Sequence, residues 1–142
     1  MFNHNATPRQ YMTRFIYAAF LLLIVLAGLG KSLLFDVDEG AFTEATREML
    51  VSGDWGHTTL NGADRFDKPI GVYWLQALSA KLWGLNEFGL RFPSAISGWI
   101  ASLALAQFAL TRWGSRAGLT AGLIAVTSLG PWAMARTATA DA

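Results

Sequence analysis

The chain has no cysteine among its 142 residues, so disulfides, thiolate metal sites and cysteine nucleophiles are excluded together. That absence does not by itself select a compartment. Charge is the second shortage: 15% of residues are Asp, Glu, Lys or Arg, against roughly 25% in an ordinary soluble domain. The acids are also confined. Nine of the ten lie between Asp36 and Ser94, where five Lys and Arg leave a net charge of −4, and the rest of the chain has one acid against six bases. What is plentiful is apolar, with 53% hydrophobic residues, six Trp and nine Phe. Long apolar runs with so little charge place the chain in the membrane class and exclude a soluble enzyme.

Three runs are long enough to be read as membrane spans, at about 15–35, 95–110 and 117–134. The first needs about 20 residues to cross a hydrocarbon core of roughly 30 Å, and Lys31 lies close enough to its end to snorkel. The other two are slightly short unless Phe92, Trp99, Trp113 and Trp132 sit in the interfaces, where aromatic rings are favoured. Arg9 and Arg14 precede the first span with no acid beside them, and Arg112 and Arg116 bound the short connection 111–115. The positive-inside rule puts both on the cytoplasmic side and the acidic loop 36–94 outside. Asn5-Ala6-Thr7 reads as a glycosylation acceptor that this topology leaves cytoplasmic and unused. Ser94, Gly98, Ser102 and Ala106 recur every four residues, as do Gly114, Gly118 and Gly122, which predicts a tight hairpin of spans two and three.

The outward loop carries its own order. Asp36 or Asp38 can cap a helix over about 38–52, with Glu39 completing a capping box to Asp36. Phe42, Ala45 and Met49 fall on one helical face, and Gly53 is a stop, so this reads as an amphipathic helix on the membrane surface. Asn61-Gly62 is a tight-turn dipeptide. Asp67 as N-cap with Pro69 in the first turn predicts a second interfacial helix over about 68–83, ending at Gly84. Arg47 and Glu48 are expected to form an ion-pair network that positions the first helix. His57 stands alone in a loop and is not taken as a ligand. The fold class predicted is all-α integral membrane, in one domain with no internal boundary.

The ordered set Asp38-Glu39, Glu44-x-x-Arg47-Glu48-Met49, Asp54-Trp55, Leu60-Asn61-Gly62, Phe66-Asp67-Lys68-Pro69, Tyr73-Trp74-Leu75, Arg91-Phe92-Pro93-Ser94 and Ala135-Arg136-Thr137 with Asp141 resembles the start of a bacterial polytopic glycosyltransferase of the GT-C type. The family is the one containing 4-amino-4-deoxy-L-arabinose transferase, which modifies lipid A, and it is related to protein O-mannosyltransferases. The resemblance covers residue 15 to the end. Family members have Glu-Lys-Pro-Pro-Leu where this chain has Asp67-Lys68-Pro69-Ile70-Gly71. They are also several hundred residues long with many more spans, so this chain resembles their N-terminal part and the 142 residues alone are expected to be inactive.

What the resemblance implies is inverting sugar transfer from a polyprenyl-phosphate carrier to lipid A or a protein, at the outer face of the bacterial inner membrane. Such a reaction needs a carboxylate to orient or deprotonate the acceptor and positive charge at the departing phosphate. The implied carboxylates are Asp38, with Glu39 its neighbour, and Asp141 as the second outward acid; capping of a helix is the plainer role for Asp38. Lys68 is the implied phosphate ligand, with Arg65 and Arg91 as further candidates that are otherwise surface cations. Asp67 is either an N-cap or an oxygen ligand for a divalent metal ion. Tyr73 and Trp74 anchor the second helix at the interface or line a lipid or sugar groove. The partners expected are the lipid-linked donor, the acceptor and membrane lipids, with no nucleic acid. The competing class is a non-catalytic membrane module that binds lipid phosphate or scaffolds a partner. A transporter is disfavoured because no ionisable residue sits at the middle of a span.

Overall fold

The computed structural model describes residues 7–34, 37–66 and 68–139. Among the described residues six helices and one small hairpin follow in order: α1 Pro8–Leu26, α2 Val37–Ser52, β1 Thr59–Leu60, β2 Ala63–Asp64, α3 Gly71–Trp83, α4 Glu87–Trp113, α5 Ser115–Thr127 and α6 Leu129–Met134. Two of them, α1 and α4, are long and apolar enough to cross a membrane.

The helix ends differ from the spans read in the sequence, and local chemistry explains each difference. Helix α1 begins before residue 15 because Thr7 is its N-cap, in a reciprocal capping box with Gln10, and Pro8 fills the first turn. It ends well before residue 35 because Gly28 turns the chain at φ 72. Helix α4 starts at Glu87 rather than near residue 95, capped by the Asn86 side chain, which accepts from Gly89 N. Pro93 therefore lies inside a helix, where it cannot bond the Gly89 carbonyl. The Ser79 hydroxyl of α3 donates to that carbonyl instead, at 2.6 Å. The third apolar run is not one helix: α5 stops at Thr127, Ser128 is extended with ψ 135, and α6 restarts with Pro131 in its first turn.

Helices α4 and α5 reverse at Gly114, φ 87, and pack closely. A β-carbon on Gly118 would stand 2.8 Å from Leu110 Cβ, and one on Gly122 would press on the Tyr17 hydroxyl and lie 3.0 Å from Ala106 Cβ. The small-residue hairpin thus holds, with one change. Gly98 faces Ala135, just past α6, rather than α5. Leu21, Val25 and Leu29 join Ala95, Val126 and Ala135 in the core of this half.

The second core lies between α2 and α3. Phe42, Ala45 and Met49 do share a face, and they bury it against Tyr73 and Ala77 of α3. Phe42 stacks on Tyr73 with ring centroids 5.4 Å apart. Burying side chains of this size contributes about 1.5–3 kcal/mol each. Asn61 and Gly62 both have positive φ, 53 and 76, and close an antiparallel hairpin in which Thr59 pairs Asp64. This hairpin is a departure from an all-α reading. It is braced by Glu48, which accepts from the Thr59 hydroxyl and from Gly62 N. Arg47 pairs instead with Glu44 at 2.7 Å, so Arg47 and Glu48 serve separate contacts rather than one network.

Candidate functional site

Two adjacent carboxylates in the first turn of α2 have opposite fates. Successive residues on a helix point about 100° apart, so the register that buries Glu39 turns Asp38 away from it. Asp38 is exposed and Glu39 is 1% exposed. The partner of Glu39 is Arg91 of α4, itself 2% exposed. Arg91 Nε donates to Glu39 Oε1 at 2.7 Å and Nη2 to Oε2 at 3.0 Å, the two-pronged pairing that the guanidinium plane favours.

The rest of the guanidinium is spent on backbone. Nη1 donates to the carbonyls of Leu29 at 3.1 Å and Ser32 at 2.8 Å and to Ser32 Oγ, and Nη2 donates to the Leu33 carbonyl at 2.9 Å. Arg91 is therefore neither a surface cation nor turned toward a ligand. It ties the chain after α1 to α2 and α4, directly ahead of Asp38. Glu39 is likewise enclosed, and its Oε1 also accepts from Ala138 N at 2.8 Å.

Arg136 holds the next stretch. Its Nη1 donates to the Val25 and Ala27 carbonyls at 3.0 and 2.8 Å, closing the C-terminal end of α1, and its guanidinium lies over the Trp132 ring. Burial first, and then the nearby positive charge of Arg91, pulls the Arg136 pKa below the ordinary arginine value.

Lys68 is partly buried and stands just ahead of α3. That helix begins at Gly71, later than expected, with Ile70 as its N-cap, and no side chain among the described residues caps it. Pro69 thus precedes the helix instead of occupying its first turn. The first-turn amides of α3 point their partial positive charge toward the chain that carries Lys68. Arg65 sits over the Phe42 ring, 5.4 Å from its centroid, and its Nε donates to the Tyr73 hydroxyl at 3.2 Å. Tyr73 is 0% exposed and belongs to the α2–α3 core, so its ring lines no open groove in this structure. Trp74 is partly open, with Nε1 bonded to the Trp55 carbonyl at 2.7 Å. His57 Nε2 lies 3.3 Å from Asp64 Oδ1.

Asp36, Asp67 and Asp141 lie outside the described residues, and with them the capping box to Asp36, the candidate metal ligand and the second candidate carboxylate. Among the described residues no three His, Asp or Glu side chains gather into a group that could hold a metal ion. The contacts missed in the sequence are those of Gln76, Thr46 and Ala138, all buried. A Gln flanked by Leu75 and Ala77 in an apolar helix was the available signal.

A helical fold with two membrane-length helices and a charged module at one end of them suits a membrane-bound transferase, and comparison with known proteins gives the family. Residues 67–142, just over half the chain, match the dolichyl-phosphate-mannose-protein mannosyltransferase family, and the chain belongs to it. It is 35% identical over 119 residues to the undecaprenyl phosphate-alpha-4-amino-4-deoxy-L-arabinose arabinosyl transferase of Aeromonas salmonicida (strain A449), covering 83% of this chain and 22% of that protein. It is 36% identical over 98 residues to the transferase of the same name from Serratia proteamaculans (strain 568), covering 69% and 18%. The crystal structure of ArnT from Cupriavidus metallidurans in the apo state superposes with a TM-score of 0.77 at 29% identity, over 92% of this chain and 24% of that one. The same protein bound to undecaprenyl phosphate gives 0.76 at 28%. The chain thus spans about a fifth to a quarter of the length of these relatives.

Proposed function

We propose that this chain is the N-terminal part of an inverting, polyprenyl-phosphate-dependent glycosyltransferase of the bacterial inner membrane. Helices α1 and α4 cross the membrane, and α5 with α6 makes the third crossing. Arg9, Arg14, Arg112 and Arg116 face the cytoplasm. The module 36–94 lies on the periplasmic side, with α2 and α3 at the interface. The observation that carries this reading is the split between neighbouring carboxylates, which leaves Asp38 open to solvent on a backbone that the Glu39–Arg91 pair holds still. The similarity to named arabinosyl transferases supports the donor class.

In the reaction the acceptor oxygen attacks the anomeric carbon of the carrier-linked sugar. The bond from that carbon to the phosphate oxygen breaks, polyprenyl phosphate leaves and the configuration inverts. Asp38 takes the proton of an acceptor hydroxyl, an effect worth roughly 10²–10⁴-fold. Where the acceptor is a phosphate already ionised, as on lipid A, Asp38 orients it. Lys68, just ahead of the start of α3, offsets the charge that grows on the leaving phosphate. Asp141 supplies the second carboxylate. Asp67, if it ligates a divalent ion, would add positive charge at the same phosphate.

The test is sugar transfer by the whole protein in lipid with a polyprenyl-phosphate sugar donor. Lys68→Ala should raise the donor KM by roughly 10- to 100-fold, the scale of one charge-assisted hydrogen bond. Unchanged donor kinetics would remove Lys68 from the phosphate site. No transfer from any polyprenyl-phosphate sugar would end the proposal.

A further inference from the structure

Gln76 of α3 is a buried amide that the chemistry above leaves unused. It is 1% exposed, in an apolar setting where an unsatisfied amide is costly. Both its ends are bonded. The Thr46 hydroxyl of α2 donates to Oε1 at 2.7 Å, and Nε2 donates to the Ala138 carbonyl at 3.1 Å. Chemistry fixes which end is which, because a carbonyl only accepts and must face the NH₂, while the hydroxyl supplies a proton to the oxygen.

The same residue, Ala138, donates its N–H to Glu39. One backbone residue is thus gripped at its donor by a side chain of α2 and at its acceptor by a side chain of α3. Ala138 is fully buried, and Arg136 pins the chain two residues earlier to the end of α1. A slip of one residue would turn the gripped N–H and carbonyl away from both partners. A leucine or methionine at residue 76 would fill this space without any amide to desolvate, but could not select a register.

We propose that Gln76 is a positioning residue: with Glu39 it clamps the Ala138 peptide, and so fixes the chain after α6 against the turn of α2 that bears Asp38. The inference rests on the reading of Asp38 as the reacting carboxylate. Among the described residues Gln76 bonds to Thr46 and Ala138 and to no group assigned to the reaction. It sets how residues 135–139 are held against the turn that bears that carboxylate.

The experiment uses the whole protein in lipid nanodiscs. Gln76→Leu removes both bonds, and Gln76→Asn keeps an amide too short to join Thr46 to Ala138. Hydrogen exchange over residues 135–139 and the kcat and donor KM of sugar transfer are read on the folded fraction. The clamp predicts faster exchange in that segment and kcat lower by roughly 10- to 100-fold, the scale of a small misplacement, with donor KM nearly unchanged. Adding Glu39→Gln to Gln76→Asn should cost less than the two separate losses combined, since both act on one peptide. Unchanged kcat per folded molecule overturns the inference whether or not exchange rises, and so does lower kcat with unchanged exchange. If Gln76→Leu does not fold, Gln76→Asn decides. Asp38→Asn is measured alongside: should it retain transfer, the assignment of Asp38 fails, while the exchange data still judge the clamp.

Discussion

Beside the apolar core that α2 and α3 share, the contacts that tie them to α4 and to the chain after α6 are polar and directional. Glu39, Arg91, Gln76 and Thr46 are buried, and each is bonded to a named partner across the fold. Between α4 and α5 the contacts are steric: Gly118 and Gly122 leave almost no room for an added β-carbon against Leu110 and Ala106. The difference follows from what each region has to do. In the α4–α5 hairpin small residues allow close backbone approach, and the packing itself is the favourable contact. On the proposed role of Asp38, the module that carries it must hold its register, and partnered donors and acceptors do that. The polar region should therefore fail abruptly when one partner is lost, and the steric region in proportion to added volume.

The largest effect expected is on the polar side. Arg91→Met removes the guanidinium that pairs with the buried Glu39 carboxylate and should cost about 3–5 kcal/mol. Thermal unfolding of the whole protein in detergent reads this, and adding Glu39→Met should recover most of the loss. A single variant that melts like the parent would mean the pair does not hold the module.

The steric side is sharpened by two alanines. Gly122→Ala puts a β-carbon against the Tyr17 hydroxyl and Ala106, and should cost about 1–3 kcal/mol. Gly40→Ala, in α2 with no described atom outside the helix's own backbone within 4 Å of the new carbon, should stabilise by about 0.4–1 kcal/mol. Opposite shifts in melting temperature are the expected result, and equal shifts would contradict the packing argument.

The smallest effect is at the surface. The Arg47 hydrogen bond and charge hold the Glu44 pKa below the usual glutamate value. A carboxylate depressed in the folded state stabilises at pH above its unfolded pKa, and that contribution disappears as pH falls through the folded value. Arg47→Met should thus lower the melting temperature slightly at neutral pH and not at all in acid. Both groups are solvated, so the difference should shrink in high salt.

How much of this was legible in the sequence depended on range. Turns and helix stops came through where the signal is local: Asn61-Gly62 closes a hairpin, Gly84 stops α3, and the face Phe42, Ala45, Met49 is the buried one. The apolar run 15–35 misled because hydropathy does not register that Gly28 breaks a helix, just as 117–134 hid the break at Ser128. Asp38 and Glu39 read as one acidic pair, since nothing in adjacent residues says which will meet an arginine 52 positions from Glu39. Arg91 carried the same ambiguity, and only the fold converts it from a candidate phosphate ligand into an internal tie.

The most direct test of the account compares the two neighbouring carboxylates in the whole protein, measuring melting temperature and sugar transfer for Asp38→Asn and Glu39→Gln side by side. The account predicts that Asp38→Asn melts like the parent and transfers nothing, while Glu39→Gln melts at a clearly lower temperature. Retained transfer by Asp38→Asn, or a loss of stability in Asp38→Asn with none in Glu39→Gln, would contradict it.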